Sequence, residues 1–254
     1  MSCLPGEYNW TAKLTAEETA ANRRKPFVPQ VNSLLAQAGA IMALLPPPPA
    51  RVLDAGCAEG HLTRLLALQG YEAVGVDVCR EELEWARGAD DAWGDIAPWG
   101  TEATPAFVEA DFDEYDCDRF YDAVVFNSSL HHSLDRVATL KAAWNNLKPG
   151  GIVVAVEPGT GHGWTRVSRE ARARLGVTER SCPPLAVAWA GWRAGFRRVK
   201  VYPHPGTLAK ALYGAPCPAE NGFVRALRRL PLKAGLLAAV KWAHGAVVLT
   251  KEGE

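Results

Sequence analysis

The sequence predicts an α/β fold, a doubly wound, mostly parallel sheet with helices on both faces. Three observations predict it. Short apolar runs alternate with helical runs from Arg51 to about Glu157, the pattern that builds parallel sheets. The first apolar run ends at Asp54 in a glycine-rich turn, Ala-Gly56-Cys57-Ala58-Glu-Gly60, just before a helix. The chain has 254 residues, 48% of them hydrophobic, enough to bury a full core.

The elements follow in order. Residues 1–30 are mixed; Pro26 and Pro29 end a helix expected over 16–24, and Tyr8 and Trp10 make this arm a candidate flap over a ligand. Residues 31–45 place Val31, Leu34, Leu35, Ala38, Ile41, Met42 and Leu45 at helical spacing, and Pro46 to Pro49 stop the helix. Strands are expected at 52–54, 73–77, 106–110, 122–127 and 152–157, with helices at 61–69, 80–87 and 134–147. Residues 89–104, with Trp93, Pro98 and Trp99, read as an acidic loop. Helices at 164–175 and 183–194 and strands at 196–202 and 246–251 follow. Between these last strands, 221–230 and 232–242 read as two amphipathic helices split by Pro231. The expected organisation is an N-terminal helical arm or cap (1–49), an α/β core (50–202), a helical insert (203–243) and a last core strand (244–254).

Composition excludes several classes. Formal net charge is zero, so nothing global argues for nucleic acid. The six cysteines are scattered without a Cys-x-x-Cys pair and read as reduced thiols. No secretion leader or membrane-length apolar run is evident, so a cytoplasmic protein is expected. The charge is uneven. Residues 72–122 carry sixteen acids against Arg80, Arg87 and Arg119, and residues 193–241 carry ten Lys or Arg against Glu220 alone. The basic stretch is either a solvated face or a surface for an anionic acceptor, phosphate or membrane headgroups, with peripheral membrane contact through 221–242.

A glycine turn after a strand serves many nucleotide cofactors. Here the spacing is Asp-x-Gly-x-Ala-x-Gly, and Asp54 stands where a pyrophosphate would be repelled, so a cofactor with a cationic end fits better. Asp77 ends the second strand, 23 residues on, where an acid accepts hydrogen bonds from ribose hydroxyls. Asp111-Phe112 follows the third strand and sets an acceptor and an aromatic ring beside a purine.

Five ordered stretches, at 52–60, 74–77, 110–112, 121–132 and 147–158, resemble the class I S-adenosylmethionine-dependent methyltransferases, in particular small-molecule members with Leu-His-His after the fourth strand. The resemblance implies a Rossmann-like sheet of seven strands, the last antiparallel and inserted between the fifth and sixth. It implies S-adenosyl-L-methionine as cofactor. Gly56 and Gly60 would line its methionine part with Asp54, Cys57 and Ala58 in the same turn. Asp77, with Val78 beside it, would hold the ribose, Asp111 and Phe112 would flank adenine, and Asn127 would lie near the methionine end. Ala58 departs from the glycine common in the family, and Cys57 reads as a small filler.

Methyl transfer needs an in-line nucleophile, and a hydroxyl acceptor also needs a base. His131, His132 and His162 are the candidates, one at most being the base, and Glu157 is a further candidate base or substrate partner. No metal site is expected, because no third ligand stands at a suitable spacing from His131 and His132. The acceptor expected is a small metabolite, or one that is anionic or linked to sugar or lipid, methylated on oxygen. Transfer to carbon or nitrogen, and a non-catalytic cofactor-binding module, are the alternatives.

Overall fold

The computed structural model describes residues 4–23, 31–88, 104–208 and 241–253. The expected loop around Trp93 and Trp99 lies outside them. So do the insert helices with Arg225, Arg228 and Arg229, apart from Lys241 and Trp242.

Seven strands form one sheet: β1 (Arg51–Ala55), β2 (Glu72–Asp77), β3 (Ala106–Glu109), β4 (Tyr121–Asn127), β5 (Leu147–Val156), β6 (Arg198–Pro203) and β7 (Gly245–Thr250). Their order is β3-β2-β1-β4-β5-β7-β6. All neighbours are parallel except β7, which runs antiparallel to both β5 and β6. This is the sheet that the resemblance implies. The helices are α1 (Ala16–Arg23), α2 (Val31–Leu44), α3 (His61–Leu68), α4 (Arg80–Gly88), α5 (Arg136–Asn146), α6 (Arg166–Leu175) and α7 (Pro184–Ala194).

Strand alternation divides the core between the two sheet faces. Val52, Val125 and Val154 share one cluster with Ile41 of α2 and Leu62 and Leu66 of α3. Leu53, Val124 and Val153 share the other with Leu140 of α5 and Val187 of α7. Two helices start later than expected because their caps do. The Asp135 carboxylate accepts from the N–H groups of Val137 and Ala138 at the head of α5, and the Thr165 hydroxyl accepts from Ser168 N–H at the head of α6.

β5 departs further from expectation. The sequence places the Lys148-Pro149-Gly150-Gly151 turn ahead of the strand, but β5 already pairs through Leu147. The register then jumps from Tyr121–Leu147 to Ala123–Ile152, so these residues bulge out of a continuous strand. Asp122 fastens the bulge. Its carboxylate accepts from Arg51 N–H at 2.8 Å and from the Lys148 ammonium at 2.7 Å.

Burial raises the Asp122 carboxyl, but Lys148 and Arg51 outweigh it and the pKa ends below the ordinary aspartate value. Asp122→Asn is therefore expected to cost about 1 kcal/mol at neutral pH. A depressed carboxyl contributes fully above its unfolded pKa and loses that contribution as pH falls through the folded one. Urea midpoints of the two proteins should separate at pH 7 and converge in acid; a gap that persists unchanged in acid contradicts this role.

Candidate active site

The turn after β1 is tied to β2 by its backbone. Gly56 and Cys57 N–H both donate to Val76 O, at 2.8 and 3.1 Å. Two glycines are required here. Gly56 has φ +73°, and a Cβ on it would lie 2.5 Å from Cβ of Ser129. Gly60 also has φ +73°, and its Cβ would strike the Phe107 ring at 2.4 Å. Ala58 adopts φ +45° between them, a left-handed conformation that disfavours side chains. Its N–H donates to Asp77 Oδ2 at 2.8 Å, and Cys79 N–H donates to Oδ1 at 2.8 Å. Asp77 thus holds the turn in place, while each oxygen keeps a second lone pair for a ligand.

A cavity of about 380 Å³ opens above this turn, at the carboxyl ends of the strands. Of the residues expected at the cofactor, Gly56, Ala58, Asp77, Val78, Asp111 and Phe112 line it. Asp54 does not; it is buried beneath the turn, accepts from Thr63 Oγ1 at 2.7 Å, and is pushed by burial up to about 7. Cys57 is buried too, its thiol raised by burial, and its Sγ fills the space over Gly75. Gly60 packs away from the cavity against Phe107. Asn127 lies between the cavity-lining Phe126 and Ser128, its buried Oδ1 without a hydrogen-bond partner among the described residues.

The N-terminal arm roofs the cavity. Glu7 and Trp10 line it, and Tyr8 OH donates to Asp111 Oδ2 at 3.1 Å. Arg174 of α6 pairs with Glu18 at 2.7 Å, and the Lys13 ammonium donates to Leu175 O, so the arm is anchored on α6. The lining acids are Glu7, Glu59, Asp77, Asp111, Asp113 and Glu179, and no Lys or Arg lines the cavity among the described residues. An acid-lined, partly apolar cavity fits a cofactor that carries a sulfonium charge.

The three histidines come together at one end. His131 and His132 ring centres are 4.1 Å apart, and those of His131 and His162 5.1 Å. Of the three only His132 lines the cavity. Its Nδ1 is 3.2 Å from Glu7 Oε1, which also accepts from Thr178 N–H. His131 is buried, its Nδ1 2.8 Å from Glu157 Oε2. His162 sits outside the lining with Nε2 2.6 Å from Glu179 Oε2.

Glu157 is buried and occupied: Ser129, Leu130 and His131 N–H all donate to it, besides the His131 ring. Burial raises its carboxyl, but His131 and these backbone donors outweigh that and hold the pKa below the ordinary glutamate value. So placed, it orients the Leu130–His132 turn, and it does not line the cavity. Sequence spacing also hid a donor. One ligand atom each of His131, His132 and Glu179 lie within 4.8 Å of one another, so a third metal-type ligand does stand beside the pair. Neither Glu7 nor Glu179 belongs to a motif; only the aromatics of the arm signalled that residues near Glu7 would reach the site.

The methyltransferase-domain family model matches residues 27–202. The ubiquinone biosynthesis O-methyltransferase of Vibrio cholerae serotype O1 is 31% identical over 103 residues, 41% of this chain and 40% of that relative. That of Aliivibrio fischeri is 29% identical over 105 residues, 41% of this chain and 42% of the relative. The alignments thus span about two fifths of the curated relatives. Among solved structures, a chain of the complex between the Haloferax volcanii Trm112 methyltransferase activator and a methyltransferase superposes with TM-score 0.62 at 17% identity, covering 93% of this chain and 96% of that one. Phosphoethanolamine N-methyltransferase 2 of Haemonchus contortus, in complex with S-adenosyl-L-methionine, gives 0.57 at 14%, covering 91% and 60%. These likenesses establish the fold.

The turn yields a direct structural expectation. Gly56→Ala forces a side chain into a left-handed position and against Ser129, and should destabilise the protein by about 2–3 kcal/mol. Chemical denaturation measures it, and an unchanged midpoint would contradict the close approach to Ser129.

Proposed function

The chain belongs to the S-adenosylmethionine-dependent methyltransferase family, an enzyme family, and we propose that this member methylates an oxygen atom of a small, uncharged acceptor. The observation that carries the proposal is His132 on the cavity wall, its Nδ1 backed by Glu7. Amine acceptors present a lone pair once deprotonated. A hydroxyl must shed its proton as it attacks, and a carboxylate-backed imidazole is suited to assist.

S-adenosylmethionine, when bound, supplies a methyl group on an electrophilic sulfonium. The residues of this chain bind and orient. Asp77 would take the ribose hydroxyls on its free lone pairs, with Val78 beside it. Asp111 and Phe112 would flank the adenine. Gly56 and Ala58 would face the methionine part, with Asn127 below. Asp54 and Gly60 would shape the turn from behind, and Cys57 would fill space. The arm, through Trp10 and the Tyr8–Asp111 bond, would exclude water. His131 would position its neighbour from inside the wall, and the base role falls to His132 rather than to His162 or Glu157, because it alone of the four lines the cavity.

The six carboxylates of the described lining, which would repel an anion, support an uncharged acceptor over the anionic one suggested by the basic stretch at 193–241. A contribution from residues 209–240, and membrane contact through 221–242, remain expectations of the sequence. The O-methyltransferase relatives support an oxygen acceptor through the two fifths they share.

His132→Ala is expected to lower kcat by roughly 10²–10⁴-fold on a phenolic or catecholic acceptor while leaving S-adenosylhomocysteine affinity intact by calorimetry. Full turnover in this variant, or methyl groups found on nitrogen with a mixed hydroxyl and amine panel, would overturn the proposal. Asp77→Ala removes acceptors for the ribose and for two backbone donors of the turn, so affinity for S-adenosylhomocysteine should fall by about 100-fold. Unaltered affinity would sink the ribose role.

A further inference from the structure

We infer that His131, His132 and Glu179 form a binding site for a divalent first-row transition-metal ion, set in the wall of the cavity beside the acceptor. Two segments converge to make it. His131 and His132 come from the short turn after β4, and Glu179 comes from the loop that leaves α6. One ligand atom of each lies within 4.8 Å of the other two. A zinc-sized ion sits about 2.0–2.2 Å from its ligands, so modest side-chain rotation closes the set around it.

A second observation points the same way. Metal-binding histidines characteristically donate their other ring N–H to a carboxylate, which fixes the tautomer and raises ligand basicity. Both histidines here have such a partner. Glu157 takes Nδ1 of His131 at 2.8 Å, and Glu7 takes Nδ1 of His132 at 3.2 Å. With both Nδ1 atoms donating, each Nε2 carries a lone pair, and His131 Nε2 is 3.8 Å from Glu179 Oε2. His162 Nε2 lies 2.6 Å from that same Glu179 oxygen and holds the third ligand in position. The charge of the region also suits a cation, because three carboxylates (Glu7, Glu157, Glu179) surround the histidines and the lining holds no Lys or Arg among the described residues.

The donor set selects the ion class. Two imidazoles and one carboxylate suit zinc, cobalt, iron or manganese, whereas magnesium and calcium prefer oxygen ligands throughout. Three protein ligands leave a coordination position open. His132 and Glu179 both line the cavity, so that position faces the acceptor. A hydroxyl that binds there would be acidified by the ion and would lose its proton to solvent on entry, before the arm shuts water out, leaving an oxygen nucleophile held on the ion. In that state the ion takes over the proton-removing task from the His132 base. This catalytic part rests on the oxygen-acceptor proposal; the binding part does not.

The test uses the full chain freed of metal by chelator, then titrated with Zn²⁺ and, separately, Co²⁺. The expected result is one equivalent bound, with a Co²⁺ absorption spectrum lacking thiolate charge-transfer bands. Glu179→Gln and His132→Gln should each weaken binding at least about 10-fold, Glu7→Gln should weaken it by about 10-fold, and Cys117→Ser, at an exposed thiol, should bind as the parent does. Retained S-adenosylhomocysteine binding shows that each variant is folded. Absence of saturable binding, thiolate bands, or unchanged affinity in both Glu179→Gln and His132→Gln would overturn the site. If the ion binds and the variants weaken it, but methyl groups appear only on nitrogen, the site stands and the oxygen reading fails. Undiminished O-methylation by verified metal-free protein would remove the ion's catalytic part.

Discussion

The arrangement of the site depends on one buried carboxylate. Glu157 follows the last residue of β5 and receives three consecutive backbone N–H groups, from Ser129, Leu130 and His131, together with the His131 ring. An unpaired carboxylate at that depth is costly; four donors offset the desolvation. In return the chain leaving β4 is bent into a tight turn, Ser129 is held against Ala55 by its hydroxyl at 2.5 Å, and the two histidines acquire fixed directions. The glycine turn depends on the same placement, since Gly56 abuts Ser129. The glycine-turn side and the histidine side of the cavity are therefore mechanically one unit.

Electrostatics make them one unit as well. Glu59 and Asp77 stand at the glycine turn, Asp111 and Asp113 follow β3, and Glu7 and Glu179 stand beside the histidines, all six lining the cavity. Burial pushes the Asp113 carboxyl up to about 6 and raises Asp77. Carboxylates gathered in a poorly solvated cavity are stabilised as anions by positive charge, so a sulfonium at one end and a protonated imidazole or a metal ion at the other each relieve the same strain. His132 shows this: burial lowers its pKa, but Glu7, Glu179 and Glu157 more than reverse the effect.

Much of the fold was legible because it is written locally. Both faces of the sheet are covered, so β1, β4 and β5 read as continuous apolar runs, and helix periods between them sort cleanly. The turn glycines and Asp77 were legible because backbone sterics and strand-end position leave few alternatives. The bulge at 148–151 was not, since Pro-Gly-Gly signals a turn whether or not the strand has already begun. The histidine wall of the cavity was less legible still. Glu7 and Glu179 lie 172 residues apart in the chain, each in a segment without periodicity, and only the closing of the arm onto α6 brings them to the same pair of histidines. Chemistry assembled from distant loops leaves no spacing to read.

The position of β7 has a consequence for how the sheet is assembled. Among the described residues β6 pairs with no strand but β7, and β7 fills the gap between β5 and β6. Strands β1 to β5 can pair as soon as they are made, whereas β6 must wait for a strand that begins at Gly245, more than forty residues after its own start. Closing that gap is a long-range event with a corresponding loop-closure cost. By that cost the sheet divides into a part that carries the glycine turn and the histidine turn, and an edge whose closure waits on the last strand in the chain.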